Sequence, residues 1–181
     1  MDILAQGTET QETLVIGKSV ALIATRKELN NTASLIALAQ ISERELLEGP
    51  VDGILFYDTK GKDHLHYRRG TLDETAAKIL AQDKKALVIP VLSLLTDARA
   101  LGRALQDARL ATTHGADVVF VSLGEEYVPT THDLEATVRA LGFHEEVVAK
   151  NQKTLAAWVA RARHRASDDY IAEGISQAKG I

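Results

Sequence analysis

Hydrophobic and polar positions follow a repeating order along this chain. Short apolar runs, about six residues each, alternate with longer stretches of helical period. The three strongest runs are Val51 to Tyr57, Ala86 to Leu92 and Val118 to Leu123. Apolar runs separated by helical patterns read as βαβ units and a parallel sheet. Upstream, Thr13 to Ile16 and Ser19 to Ala24 are further strand candidates. Ala33 to Ala39 is too short for its period to separate strand from helix and is read as strand. Roughly five or six short, mostly parallel strands with helices between them predict an α/β fold. A small or incomplete (β/α) TIM-like barrel fits, and an open doubly wound sheet is the alternative.

The boundary signals refine this. Ser42-Glu43-Arg44-Glu45 opens a capped helix that Gly49-Pro50 ends. Thr71 with Glu74 reads as a capping box, and Leu72, Ala76, Ile79 and Leu80 share one face of the helix that follows. Gln82 to Lys85 is its exit loop. Pro90, which cannot donate a ladder hydrogen bond, marks a strand end or an edge. Asp97 caps the next helix, with Leu101, Leu105 and Ala108 inward, Arg99 and Arg103 on the open face, and His114-Gly115 at its end. Thr130 or Thr131 caps a helix with Leu134, Val138 and Leu141 inward and Gly142 as its stop. The last helix runs from about His144 to about Arg165, with Leu155, Trp158, Val159 and Ala162 on one face. Met1 to Glu12 reads as a frayed start, and 166–181 as an irregular tail of a single domain spanning 1–181.

A length of 181 residues suits one domain, and 45% hydrophobic residues suffice for a core. There is no cysteine, which excludes disulfides, thiolate metal sites and cysteine nucleophiles and suits a reducing compartment. No basic segment precedes an apolar one at the start, so a cytoplasmic protein is expected. The net charge of −4 weighs mildly against a nucleic-acid binder, but its distribution points the other way. Lys60 to Arg109 holds ten basic and six acidic residues, and Val147 to Arg165 holds five basic and none acidic. The remaining positions hold six basic and nineteen acidic residues. Such segregation suits one anionic partner on an otherwise acidic surface; clustering on solvated helix faces is the alternative.

Few residues have the makings of a catalytic site. His64-Leu65-His66 has a metal-ligand spacing, with Asp58 and Asp63 nearby, but other strand ends add only Glu125, Glu126 and Ser93. Gly17-Lys18-Ser19 resembles the end of a phosphate-binding loop but has Glu12 where the earlier glycine belongs. No Gly-x-Ser-x-Gly elbow occurs. The loop after Tyr57 carries a different signal. Lys60, Lys62, Arg68 and Arg69 are four fixed charges, joined by His64 and by the aromatic rings of Tyr57 and Tyr67. Cations neutralise phosphates and a tyrosine ring can stack on an unpaired base, so the loop reads as an RNA surface at a strand's carboxyl end. The bland alternative is a solvated loop. Arg99 and Arg103 join the candidate RNA-binding set; the run from Lys150 to Arg165 offers a second phosphate surface, but a helix whose basic last turn complements its dipole is the favoured reading.

The segment DGILFYDTKGKDHLHYRRGTLDETAAKILAQDKKALVIPVLSLL resembles the p-thirty type protein subunit of archaeal ribonuclease P (protein component three). Members show a strand, a charged loop, an Ala/Leu-rich helix and a strand ending in Leu-Leu, in this order. The likeness continues through ARALGRALQDARLATTHGADVVFVSLGEE, where Ser122-Leu123-Gly124 matches the family's Ser-Ser-Gly-Ala turn in part, and through PTTHDLEATVRALGF. It covers roughly Ser34 to Arg165, and the first third departs from the family's opening strand and helix. The resemblance implies a barrel like that of the PHP phosphoesterases, without their metal ligands. It implies a non-catalytic subunit of the enzyme that removes the 5′ leader of precursor tRNA. The catalytic Mg²⁺ would belong to the RNA subunit, and this chain would bind no cofactor itself. Its partners would be the ribonuclease P RNA and a second protein subunit, with precursor tRNA touched only indirectly and no membrane involved. Two rivals stand beside this reading: a metal-dependent phosphoesterase using His64, His66 and Glu125, and a scaffold that binds proteins only.

Overall fold

A computed structural model describes residues 2–4, 13–15, 20–23, 27, 36–40, 44–56, 72–90, 94–121, 130–165, 170–172 and 175–176. Strands β3 (Val20–Ile23), β4 (Ile36–Ala39), β5 (Gly53–Leu55), β6 (Ala86–Pro90) and β7 (Asp117–Val121) form one sheet in the order β3-β4-β5-β6-β7. Every pairing in it is parallel. Strands β1 (Asp2–Leu4) and β2 (Thr13–Val15) pair with each other, also in parallel. Helices α1 (Arg44–Leu47), α2 (Glu74–Gln82) and α3 (Ala98–Thr113) lie between the sheet strands in sequence. Helices α4 (Thr131–Ala140) and α5 (Glu145–Arg165) follow the last of them.

Strand order that never reverses is singly wound, unlike a doubly wound sheet, which needs a switch point. Right-handed crossovers then place the connecting helices on one face. Alternate strand residues Ala37, Ala39, Ile54, Phe56, Leu87, Ile89, Val118 and Phe120 share a core with Ala76, Ala77 and Leu80 of α2 and Ala104, Ala108 and Ala111 of α3. The opposite face, Leu38, Leu55, Val88, Val119 and Val121, is buried too. A parallel sheet that is apolar on both faces explains the unbroken apolar runs in the sequence. The mostly parallel α/β architecture is therefore as expected, but the sheet of the described residues is open, with β3 and β7 at its edges, rather than closed as a barrel.

Gly53 is required by β5's approach to β6. A Cβ there would lie 2.3 Å from the carbonyl oxygen of Ala86, its register partner. Pro90 closes β6, where its missing N–H costs least. On the β7 side, helix α5 lies alongside the strand. Asn151 Oδ1 accepts from the Phe120 N–H at 2.5 Å, and its Nδ2 donates to the Phe120 carbonyl at 3.4 Å.

Three helix ends share one construction. After α3, the Gly115 N–H reaches Thr112 O and the Ala116 N–H reaches Ala111 O. After α4, Gly142 and Phe143 repeat this onto Arg139 O and Val138 O. After α2, Lys84 and Lys85 do so onto Ala81 O and Leu80 O. This is the Schellman ending, whose first residue past the cap adopts positive φ. Gly115 (φ 84°) and Gly142 (φ 87°) fill that position twice, and Lys84 (φ 55°) fills it the third time.

Several expectations need correction. The cap of α2 is Asp73, not Thr71: Asp73 Oδ1 accepts from the Ala76 N–H at 2.7 Å. Helix α3 is rotated from the expected phase. Its buried face is Ala100, Arg103, Ala104, Asp107, Ala108 and Ala111, and Leu101 and Leu105 flank it, half-buried. Alanines let the helix axis lie close to the sheet, so the leucines pack from the sides. The start of the chain and its tail are not wholly irregular, since β1 lies at the start and β8 (Tyr170–Ala172) and β9 (Ile175–Ser176) form an antiparallel pair in the tail. Asp97 caps α3 and Thr130 caps α4, the latter in a reciprocal box with Asp133. Val138, Leu155 and Trp158 are buried and Leu141 is half-buried, as expected. The side chains of Leu134, Val159 and Ala162 lie outside those described.

Candidate nucleic-acid interface

The expected interface begins at the carboxyl end of β5. There the Phe56 N–H donates to Val88 O at 2.8 Å, the last described residue before the basic loop. The chain is described again at Leu72, whose N–H donates to the buried carboxylate of Asp107 at 3.1 Å. The residues flanking the basic segment are thus bonded to β6 on one side and to α3 on the other. Lys60, Lys62, His64, Tyr67, Arg68 and Arg69 themselves lie outside the described residues. So do His66 and Glu125, on which a metal-dependent alternative rests. Among the described residues, no cluster of three or more His, Asp or Glu could hold a metal ion.

Of the two remaining candidates, Arg99 is exposed in the first turn of α3. Its backbone N–H and that of Ala100 both donate to Asp97 Oδ1, at 2.9 and 3.1 Å. Those bonds, Ala100's first, hold the Asp97 carboxyl below its usual range. Arg103 is not on the open face. It is 1% exposed, the largest fully buried side chain among the described residues, and Asp107, one helical turn further along α3, is buried with it. A guanidinium so enclosed cannot meet RNA phosphate, so Arg103 leaves the interface.

A second cationic surface lies at the opposite, amino ends of the strands; sequence reasoning touched it only through the Lys150 to Arg165 run and missed Lys84, Lys85 and the carboxylates there. In register, Gly53 pairs Ala86 and Ala86 pairs Asp117. The residues just ahead of these positions therefore converge: Asp52 before β5, Lys84 and Lys85 before β6, and Asp117 opening β7. Lys150 and Arg161 of α5 join them. Two adjoining cavities open here, of about 390 and 300 Å³. Lys84 and Lys85 line both, Arg161 with Asp52 and Asp83 lines the larger, and Lys150 with Asp117 lines the smaller.

Each carboxylate on this rim is engaged. Asp52 accepts from the Ala37 N–H at 2.9 Å through Oδ2 and meets Arg161 Nη2 at 2.6 Å through Oδ1. Asp117 meets Lys150 Nζ at 2.5 Å and accepts from Thr154 Oγ1 at 2.9 Å. Asp83 meets Lys85 Nζ at 3.0 Å. The buried Lys85 ammonium also donates to the carbonyls of Leu47 and Gly49, satisfying the end of α1. Lys84 alone of the four cations has no partner among the described residues for its ammonium, and it is exposed. The signal that could have found this rim is the alignment of strand starts, which a singly wound parallel sheet brings to one edge.

No family model matches the chain, and no curated protein matches it in sequence. Among solved structures, the chain is similar to one in the cryo-EM structure of archaeal Ribonuclease P with mature tRNA, with a TM-score of 0.67 and 15% identity over 94% of this chain and 78% of that one. At that identity the likeness is one of fold, and it spans nearly the whole of this singly wound α/β unit.

Proposed function

We propose that this chain is a non-catalytic protein subunit of ribonuclease P, of the p-thirty type, which supports the catalytic RNA in removing the 5′ leader of precursor tRNA. The observation that carries the reading is the fold shared, across 94% of the chain, with a chain of an archaeal ribonuclease P assembly. The order of the motifs from Ser34 to Arg165 and the basic composition of the segment between β5 and α2 support it independently. On this reading the ribonuclease P RNA and a second protein subunit are the partners, Mg²⁺ serves the RNA, and Lys60, Lys62, His64, Tyr67, Arg68, Arg69 and Arg99 contribute to RNA contact. The test is reconstitution of an archaeal ribonuclease P from its RNA and proteins, with and without this chain. Faster leader removal at low Mg²⁺ in its presence, and no hydrolysis by the chain alone, is the expected result. Hydrolysis of a generic phosphodiester by the purified chain with a bound divalent metal would overturn it.

A further inference from the structure

We infer that the amino-end rim of the sheet is a second RNA-backbone contact, centred on Lys84; the inference rests on the ribonuclease P reading and places another part of its RNA surface. The three Schellman ends of this chain serve as internal controls. Two use glycine, which takes positive φ without steric cost. The third places a lysine there, at φ 55°, against its backbone preference. The helix end gains its two backbone bonds from either residue type, and among the described residues the Lys84 ammonium has no partner that would favour lysine over glycine there. Positive φ kept at an exposed lysine whose ammonium meets no described partner points to a use outside the fold.

The surroundings say what kind of partner fits. Lys84 stands between two cavities whose other cations, Lys85, Lys150 and Arg161, are each bound to one of the three carboxylates there, Asp83, Asp117 and Asp52. The described groups on the rim therefore carry four positive and three negative charges, and the surplus charge, that of Lys84, is exposed. Lys150 is also more than half exposed at its side chain, so its charge is available to a nearby anion. An ammonium is a compact, strongly hydrated point charge suited to a phosphate oxygen rather than to planar bidentate recognition. Phosphate contacts of this sort position a nucleic acid without reading its sequence.

The test compares the full wild-type chain, Lys84→Gly and Lys78→Ala for binding to transcribed archaeal ribonuclease P RNA at several KCl concentrations. Lys84→Gly removes the charge and installs the residue that the helix end prefers, so it folds at least as well as wild type. Lys78, exposed on α2 and paired with Glu74, is a lysine away from the rim. Lys84→Gly should weaken binding several-fold at low salt and flatten the log-affinity against log-salt slope by about 0.7 to 0.9, one phosphate contact, whereas Lys78→Ala leaves the slope unchanged. An unchanged slope for Lys84→Gly, with wild-type RNA binding intact, overturns the rim contact and leaves the subunit reading standing. Loss of binding to a protein subunit without a change in RNA slope overturns it in favour of a protein contact. Failure of the wild type to bind the RNA at all overturns the subunit reading as well.

Discussion

Lys84 and Lys85 are adjacent, chemically identical and opposite in role. Lys85 is buried and holds three acceptors, two of them carbonyls at the end of α1. Lys84 is exposed in a conformation that favours glycine. Lys84→Gly should therefore stabilise the protein by roughly 0.5–1 kcal/mol, the strain relieved less the added freedom of the unfolded chain. Lys85→Ala should destabilise it by about 1–3 kcal/mol, since buried carbonyls lose their donor. Urea unfolding of the two variants checks both signs. Gly53→Ala, forced against the Ala86 carbonyl, should cost roughly 1–3 kcal/mol or more as an overpacked site.

At the level of the element, α3 shows why helix phase was hard to read. A search for the bulkiest apolar stripe finds Leu101 and Leu105, yet a helix laid close on a sheet buries its small residues. Ala100, Ala104, Ala108 and Ala111 recur at the spacing of one helical face. Arg103→Ala, which empties a fully buried site, should cost about 2–5 kcal/mol, while Arg99→Ala at the exposed first turn should stay within about 0.5 kcal/mol. Near-equal losses at the two positions in thermal unfolding would contradict the assigned face. The same helix carries a pH dependence. The Ala100 and Arg99 N–H groups depress the folded pKa of Asp97 below its ordinary 3.8. Its contribution to stability is therefore complete above the unfolded pKa and is lost as pH falls through the lowered folded one. Denaturant midpoints between about pH 5 and pH 2 should fall less steeply for Asp97→Asn than for wild type, with the variant the less stable near neutrality.

Across the whole molecule, the sequence carried the architecture better than the interface. Each strand of the five-stranded sheet coincides with an apolar run to within a residue, and the caps at Asp97 and Thr130 and the stops at Gly115 and Gly142 stood out because their chemistry is local. The Thr71 to Glu74 spacing mimicked a cap that Asp73 provides. The short strands β1, β8 and β9 were hidden because two or three residues among polar neighbours leave no period to detect. The rim around Lys84 was hidden for a different reason: Asp52, Lys84, Asp117 and Arg161 are far apart in sequence and meet only through strand register and the path of α5. The basic loop and the rim lead from opposite ends of the strands. Arg68→Ala with Arg69→Ala should flatten the RNA salt slope by roughly one to two units, and independent phosphate contacts predict that its effect adds to that of Lys84→Gly. Salt titrations of the three variants check this additivity.

The side-chain amide of Asn151 has the same donor and acceptor as a peptide group, and at Phe120 it occupies the place where a neighbouring strand would bond. β7 is an edge strand of a parallel, apolar sheet among the described residues, the kind of border on which a second molecule can add its own strand and begin a chain of aggregation. Filling those two backbone positions at Phe120 leaves them unavailable to a strand added there, so Asn151 is expected to act as a stopper on growth by polymerisation. Asn151→Ala removes the stopper while leaving the apolar contacts of α5 in place. The variant should self-associate with concentration, seen by light scattering at temperatures where circular dichroism still reports a folded chain, and Asn151→Gln should not substitute, because its longer arm moves the amide out of line with the Phe120 backbone.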